Sequence, residues 1–202
     1  IWMNNSNDPN LILYTNLSVN SYAIFVTTNG DIYVGSHPSV KQIIKSNQTI
    51  SISIPSASSS HILGIFVDIN NTLYCSFSEQ YKIVKKWLND SSSTMTTVAG
   101  TGSAGSASNM LNWAHGIFVD TNFDLYVADA SNNRIQLFRL GEINGTTIAG
   151  STSANITISL SYPTAIILDG NKYLFITDAG NSRIVGSDEN GFRCIIACSG
   201  SS

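Results

Sequence analysis

The sequence predicts an all-β chain arranged as a β-propeller. Two observations carry that prediction: an internal repeat of constant inner spacing, and a second strand in each repeat that is apolar on consecutive positions. Ala23-Ile24-Phe25-Val26, Gly64-Ile65-Phe66-Val67, Gly116-Ile117-Phe118-Val119 and Ala165-Ile166-Ile167-Leu168 share one pattern. In every copy an aromatic ring (Tyr33, Tyr74, Tyr126, Phe175) follows eight residues after the third position. The copies start 41, 52 and 49 residues apart, so length varies between units and not inside them. Such a period marks a repeat architecture.

Each copy reads as two short strands and a tight turn. Thr28-Asn29-Gly30-Asp31 carries an Asn-Gly pair that favours a two-residue hairpin. Ile69 to Thr72, Thr121 to Asp124 and Asp169 to Lys172 fill the same slot. Third strands are expected at Ile83 to Trp87, Ile135 to Leu140 and Ile184 to Gly186, with fourth strands at Thr96 to Ala99, Thr146 to Ala149 and Phe192 to Ala197. The second strands (Ile32-Tyr33-Val34, Leu73-Tyr74-Cys75, Leu125-Tyr126-Val127, Leu174-Phe175-Ile176) do not alternate apolar with polar. A strand with one wet face would alternate; these are buried on both faces. A propeller blade, sandwiched between two neighbours, meets that requirement while staying antiparallel.

Composition fits this architecture and excludes some functions. Of 202 residues only 11% are charged, with 10 basic against 13 acidic and a net charge of −3. That balance excludes a generic DNA binder, which needs clustered Lys and Arg, and it disfavours RNA. Hydrophobic content of 43% is enough for a packed core. Asn, Ser and Thr (21, 30 and 16) concentrate in turns and connections. No apolar run approaches the roughly 18 residues of a membrane span.

Two segments carry a family resemblance. Asp129-Ala130-Ser131-Asn132-Asn133-Arg134-Ile135 and Asp178-Ala179-Gly180-Asn181-Ser182-Arg183-Ile184, each following its second strand, resemble the NHL-repeat propellers. The second copy departs from the motif, with Ser76 to Ile83 lacking its Asp and Asn, and so does the first, with Pro38 in the loop. Ile1 to Asn5 and Leu11 to Tyr14 resemble the third and fourth strands of a preceding blade. The expected organisation is one propeller domain over 1–202: a partial blade (1–21) and whole blades at 22–60, 61–112, 113–161 and 162–202. Similar families close at about six blades, which implies a fragment of a larger ring. A start at Ile1 without a leader reads the same way, or as a leader already removed.

Three cysteines exclude a fully paired framework within the chain. Cys75 reads as a small buried hydrophobe. Cys194 and Cys198 are four apart; on a straight strand that is roughly 13 Å, about twice a disulfide's reach, so pairing demands a bend. Asn-x-Ser/Thr sequons stand at Asn4, Asn16, Asn47, Asn70, Asn89, Asn144 and Asn155. Asn4, Asn47, Asn89 and Asn144 fall between third and fourth strands and Asn70 between first and second, turns that share one side of a propeller. Asn16 and Asn155 fall on the other. If glycosylated, the first side is covered and the second mostly free, pointing to an extracellular or secreted chain.

The freer side collects His37, Asp129, Asn132, Arg134, Asp178, Asn181 and Arg183 from the loops between second and third strands. His61, Trp113, His115 and Tyr162 come from the segments leading into first strands. These are the candidate ligand-binding residues, although Asp129 and Asp178 equally suit hydrogen bonding to loop backbone, and Arg134 and Arg183 suit bracing it. Three histidines on one side raise a metal reading, as in an amidated-peptide-forming lyase with a similar propeller, but no motif connects them and no metal or other cofactor is expected. Catalytic signatures such as a Gly-x-Ser-x-Gly elbow or a phosphate loop are absent, and Thr101 to Ser108 reads as a flexible connection. The sequence therefore favours a non-enzymatic recognition scaffold for a protein, peptide or glycan. A metal-dependent lyase or hydrolase with a central site is the alternative.

Overall fold

The structure is a computed structural model describing residues 21–36, 39–44, 48–53, 60–90, 94–150 and 158–198. It contains four four-stranded antiparallel sheets, each formed by consecutive strands in sequence order. The first holds β1 (Ser21–Val26), β2 (Ile32–Ser36), β3 (Ser39–Ile44) and β4 (Gln48–Ser53). The second holds β5 (Ile62–Val67), β6 (Thr72–Phe77), β7 (Lys82–Trp87) and β8 (Thr96–Ala99). β9 (Ala114–Val119), β10 (Leu125–Asp129), β11 (Arg134–Phe138) and β12 (Thr146–Gly150) make the third. β13 (Pro163–Leu168), β14 (Leu174–Asp178), β15 (Arg183–Asp188) and β16 (Gly191–Ile196) make the fourth. β1 packs on β5, β5 on β9 and β9 on β13, so the first strand of each sheet is innermost and the sheets are the blades of a β-propeller. The preceding partial blade expected over 1–21 lies outside the described residues, save for Ser21 in β1. Among the described residues no helix is long and apolar enough to cross a membrane.

Among the described residues the core forms three seams, one between each pair of successive blades. In β6, Leu73 and Cys75 enter the seam with the first blade while Tyr74 enters the seam with the third. In β10, Leu125 and Val127 face the second blade and Tyr126 the fourth. Successive side chains of a strand point to opposite faces, so consecutive apolar residues in each second strand follow directly from a blade buried on both sides. The first and fourth blades differ: Ile24 and Val26 in the one, and Ile167, Ile195 and Ile196 in the other, are exposed.

The hairpin between first and second strands is not the expected two-residue turn. In the second blade the Asn71 amide donates to the Asp68 carbonyl and the Asp68 amide to the Thr72 carbonyl, enclosing a three-residue loop that ends on a left-handed Asn71 (φ 61°). Gly30, Phe123 and Lys172 take the same left-handed place in the other blades. Phe and Lys are poor residues for that backbone, and a side-chain cap holds it. Asp68, Asp120 and Asp169 each accept two loop amides on Oδ1, at 2.8–3.0 Å, and Thr27 Oγ1 accepts the Asp31 amide in the first blade. In the last three blades the turn is specified by the Asp before it; in the first, Gly30 of the Asn-Gly pair supplies the left-handed residue and Asn29 Oδ1 also accepts the Asp31 amide.

Cys194 and Cys198 form a disulfide with a Cα–Cα distance of 5.7 Å. The bend that brings them together has two parts: a register shift where β15 pairs β16 between Ile184 and Val185, and a left-handed Ala197 (φ 56°). β7–β8 and β11–β12 carry the corresponding shift, so the bend belongs to the blade. Cys75 is fully buried and unpaired, and burial pushes its thiol up.

Candidate functional site

One mouth of the propeller is built from the loops between second and third strands and the segments leading into first strands. In the third blade Asp129 is fully buried. Its Oδ1 accepts the Asn112 amide (2.7 Å), and its Oδ2 accepts Asn132 Nδ2 (2.9 Å) and Arg134 Nε (2.7 Å). Burial pushes the Asp129 carboxyl up, against these bonds, which pull it down. The rest of the Arg134 guanidinium donates to the carbonyls of Ser106, Ala107 and Met110, and Asn132 Nδ2 donates to Gly105. The connection expected to be flexible over Thr101 to Ser108 is therefore fastened to the blade, with Leu111 fully buried beneath it.

The fourth blade repeats the clamp. Asp178 accepts the Ser161 amide (2.6 Å), Asn181 Nδ2 (2.8 Å) and Arg183 Nε (2.8 Å), while Arg183 also donates to the Ser159 carbonyl. In both blades the clamped residue precedes an aromatic in left-handed backbone: Trp113 (φ 54°) and Tyr162 (φ 48°). The Trp113 carbonyl is held by the Ala130 amide, and the Tyr162 amide donates to Asn133 Oδ1 (2.8 Å). Both rings remain exposed, at 37% and 38%. His115 lies beside Tyr162, edge-on at 5.2 Å, with its Nε2 3.2 Å from the hydroxyl, and burial pulls its pKa down.

The second blade has Phe77 where Asp129 stands, yet it is still clamped. Glu79, two residues further on, reaches back and accepts the Ser60 hydroxyl, the His61 amide, the Ser78 hydroxyl and the His61 ring nitrogen Nδ1. Burial opposes ionisation, but these hydrogen bonds prevail and hold Glu79 at about 2. A carboxyl at about 2 in the fold and near 4.5 when free contributes stability fully above its free value, and that contribution is lost as pH falls toward 2. Glu79→Gln is therefore expected to unfold at lower urea than the parent at about pH 7, with the gap closing below about pH 4. An equal gap across that range would refute the clamp.

The residues expected at this mouth thus divide. Asp129, Asn132, Arg134, Asp178, Asn181 and Arg183 hydrogen-bond to one another and to the connections as clamps, with Asp129, Arg134 and Asp178 buried, whereas Trp113 and Tyr162 are exposed and His61 and His115 half-buried, with Tyr22 edge-on to His61 at 4.8 Å. His37 lies outside the described residues. Among the described residues no three His, Cys, Asp or Glu side chains converge as a metal site.

The opposite mouth holds a cavity of about 390 Å³. Phe25, Phe66 and Phe118 line it as a ladder of rings with centroids 4.8 and 5.1 Å apart, and Val67, Val119 and Leu168 complete the apolar wall. The turn-capping carboxylates Asp68, Asp120 and Asp169 form its rim. Asp68 Oδ2 accepts the Tyr74 hydroxyl, and Asp120 Oδ2 pairs with Lys172 Nζ at 3.0 Å. Asp169 Oδ2 has no partner among the described residues. Sequence reasoning passed over this cavity, although extending the repeat by one residue (Val-Thr, Val-Asp, Val-Asp, Leu-Asp) displays the rim.

Asn70, Asn89 and Asn144 are exposed on the cavity's side, whereas Asn4, Asn16, Asn47 and Asn155 lie outside the described residues. Asn70 is in an inner turn; Asn89 and Asn144 are in outer turns.

The blade order and inner-strand packing define the class of protein, a β-propeller. No family model and no curated protein matches the chain. Among solved structures it is similar to an auxiliary nutrient binding protein from Bacteroides thetaiotaomicron, with TM-score 0.68 and 18% identity over 87% of this chain and 48% of that one. The counterpart from Bacteroides ovatus gives 0.67 and 15% over 87% and 48%. Virginiamycin B lyase from Staphylococcus aureus gives 0.64 and 17% over 92% and 58%. The chain spans about half the length of these propellers, and the likeness is one of fold.

Proposed function

We propose that the chain is a recognition module of the NHL type, working outside the cytoplasm, that binds a protein, peptide or glycan on the mouth formed by His61, Trp113, His115 and Tyr162. One observation carries this reading: at corresponding positions of successive blades, Trp113 and Tyr162 are held in left-handed backbone with their rings exposed. A bulky residue in that backbone is costly, and such strain gathers at binding sites where the surroundings over-determine it. Buried carboxylate clamps supply that over-determination here. Exposed Trp and Tyr offer rigid apolar area with a polar tip, suited to sugar faces and peptide side chains. The Cys194–Cys198 disulfide supports an oxidising compartment.

Arrays of glycans and extracellular proteins probed with the parent and with Trp113→Ala/Tyr162→Ala test the proposal. The double variant is expected to keep a cooperative urea transition while losing at least about tenfold in affinity for any captured ligand, as hot-spot aromatics do. Undiminished capture would reject this mouth. The lyase reading rests on likeness to virginiamycin B lyase; a metal retained stoichiometrically through dialysis would favour it over recognition.

A further inference from the structure

We propose that the cavity at the opposite mouth is a second binding site, for a small organic ammonium ion with a compact apolar body. The cavity's size falls in the range of small-molecule sites, and its wall is apolar with a few convergent polar groups, the usual make-up of such sites. The polar groups fix the sign of the ligand. Three carboxylates ring the mouth against one ammonium, and that ammonium, Lys172, is taken up by Asp120. Asp169 spends Oδ1 on the Asn171 and Tyr173 amides and presents an exposed Oδ2 with no partner among the described residues. An anion entering here would meet uncompensated like charge; a neutral apolar molecule would leave the rim unused.

The aromatic ladder points the same way. Phe25, Phe66 and Phe118 are each only partly buried, so ring surface remains at the cavity wall. A cation within about 6 Å of a phenyl face is attracted by the ring quadrupole, and more so as water is displaced. Apolar body against the rings and ammonium toward Asp169 and Asp68 satisfies both features at once. The Lys172–Asp120 pair (3.0 Å) occupies part of the rim's acidic capacity. Removing it should therefore tighten cation binding, which a merely structural lysine would not do.

Calorimetric titration of the 202-residue chain with phenethylammonium, its neutral isostere 2-phenylethanol and the anion phenylacetate tests the site. Phenethylammonium is expected to bind saturably, about tenfold or more tighter than the alcohol, with no saturable binding of the anion. Asp169→Asn keeps an oxygen to cap the turn and is expected to weaken the ammonium by about three- to tenfold, whereas Lys172→Met should strengthen it by a similar factor. Urea midpoints of both variants show that the fold is retained. Equal binding of ammonium and alcohol, an affinity indifferent to Asp169→Asn, weakening by Lys172→Met, or no saturable ammonium binding at millimolar concentration would each overturn the proposal.

Discussion

Asp129→Ala is expected to destabilise the chain by about 3–5 kcal/mol, the cost of leaving one member of a buried ion pair without its partner. Arg134 is 4% exposed and cannot turn to water when its carboxylate is removed. The Asn112 amide and the Asn132 side chain lose an acceptor in the same step. Domain stabilities of roughly 5–15 kcal/mol make that a large fraction of the whole. The effect should be cooperative along the sequence, because Arg134 also fastens the carbonyls of Ser106, Ala107 and Met110. Amide exchange should thus accelerate at Asn112 and Ala130, and limited proteolysis should open the 101–110 connection. Arg193→Ala removes an exposed pair with Asp188 (3.1 Å) and provides the contrast, expected at about 0–1 kcal/mol. A loss at Asp129 no larger than at Arg193 would show that the clamp is solvated.

The contrast between those sites also explains what the sequence could and could not reveal. Strand order, seam packing and double-sided second strands were legible because they depend on local periodicity: Phe25 and Tyr33 are neighbours across one hairpin, and the same eight-residue step recurs four times. The Asp-Asn-Arg clamps were legible as a motif and ambiguous as chemistry, since their partners sit 17 to 28 residues away in connections of no fixed length. Glu79 was hidden for a related reason. It replaces Asp129's role from a position two residues displaced, which side-chain length allows and pattern matching does not show. Phe123 and Lys172 look wrong for a turn until Asp120 and Asp169 are seen capping it from outside. The cavity was illegible as a site because its walls are repeat positions already accounted for as core. Only convergence of blades at the axis leaves part of Phe25, Phe66 and Phe118 facing open space.

That convergence depends on how closely innermost strands approach, and Gly64→Ala is expected to disrupt it. A Cβ at Gly64 would lie 2.3 Å from the His115 carbonyl oxygen and 3.2 Å from Gly116 Cα, both backbone atoms of β9. Neither can rotate aside, so the second and third blades must separate. The same carbonyl accepts the buried Ser76 hydroxyl at 2.7 Å, and separation would strand that donor. Overpacking typically costs about 1–3 kcal/mol and an unsatisfied buried polar group about 1–3 more, so a loss of about 2–6 kcal/mol is expected by urea unfolding. Gly170→Ala, with no atom within 4 Å of its added Cβ and no positive φ, should be neutral or slightly stabilising. The substitution also couples the two mouths. His115 belongs to the aromatic mouth and Phe118 to the cavity, and β9 carries both. Displacing β9 should therefore perturb ligand capture at one end and ammonium binding at the other. Gly64→Ala with parental stability would mean that the inner strands are not in contact at this level, and the axial cavity could not have the walls described.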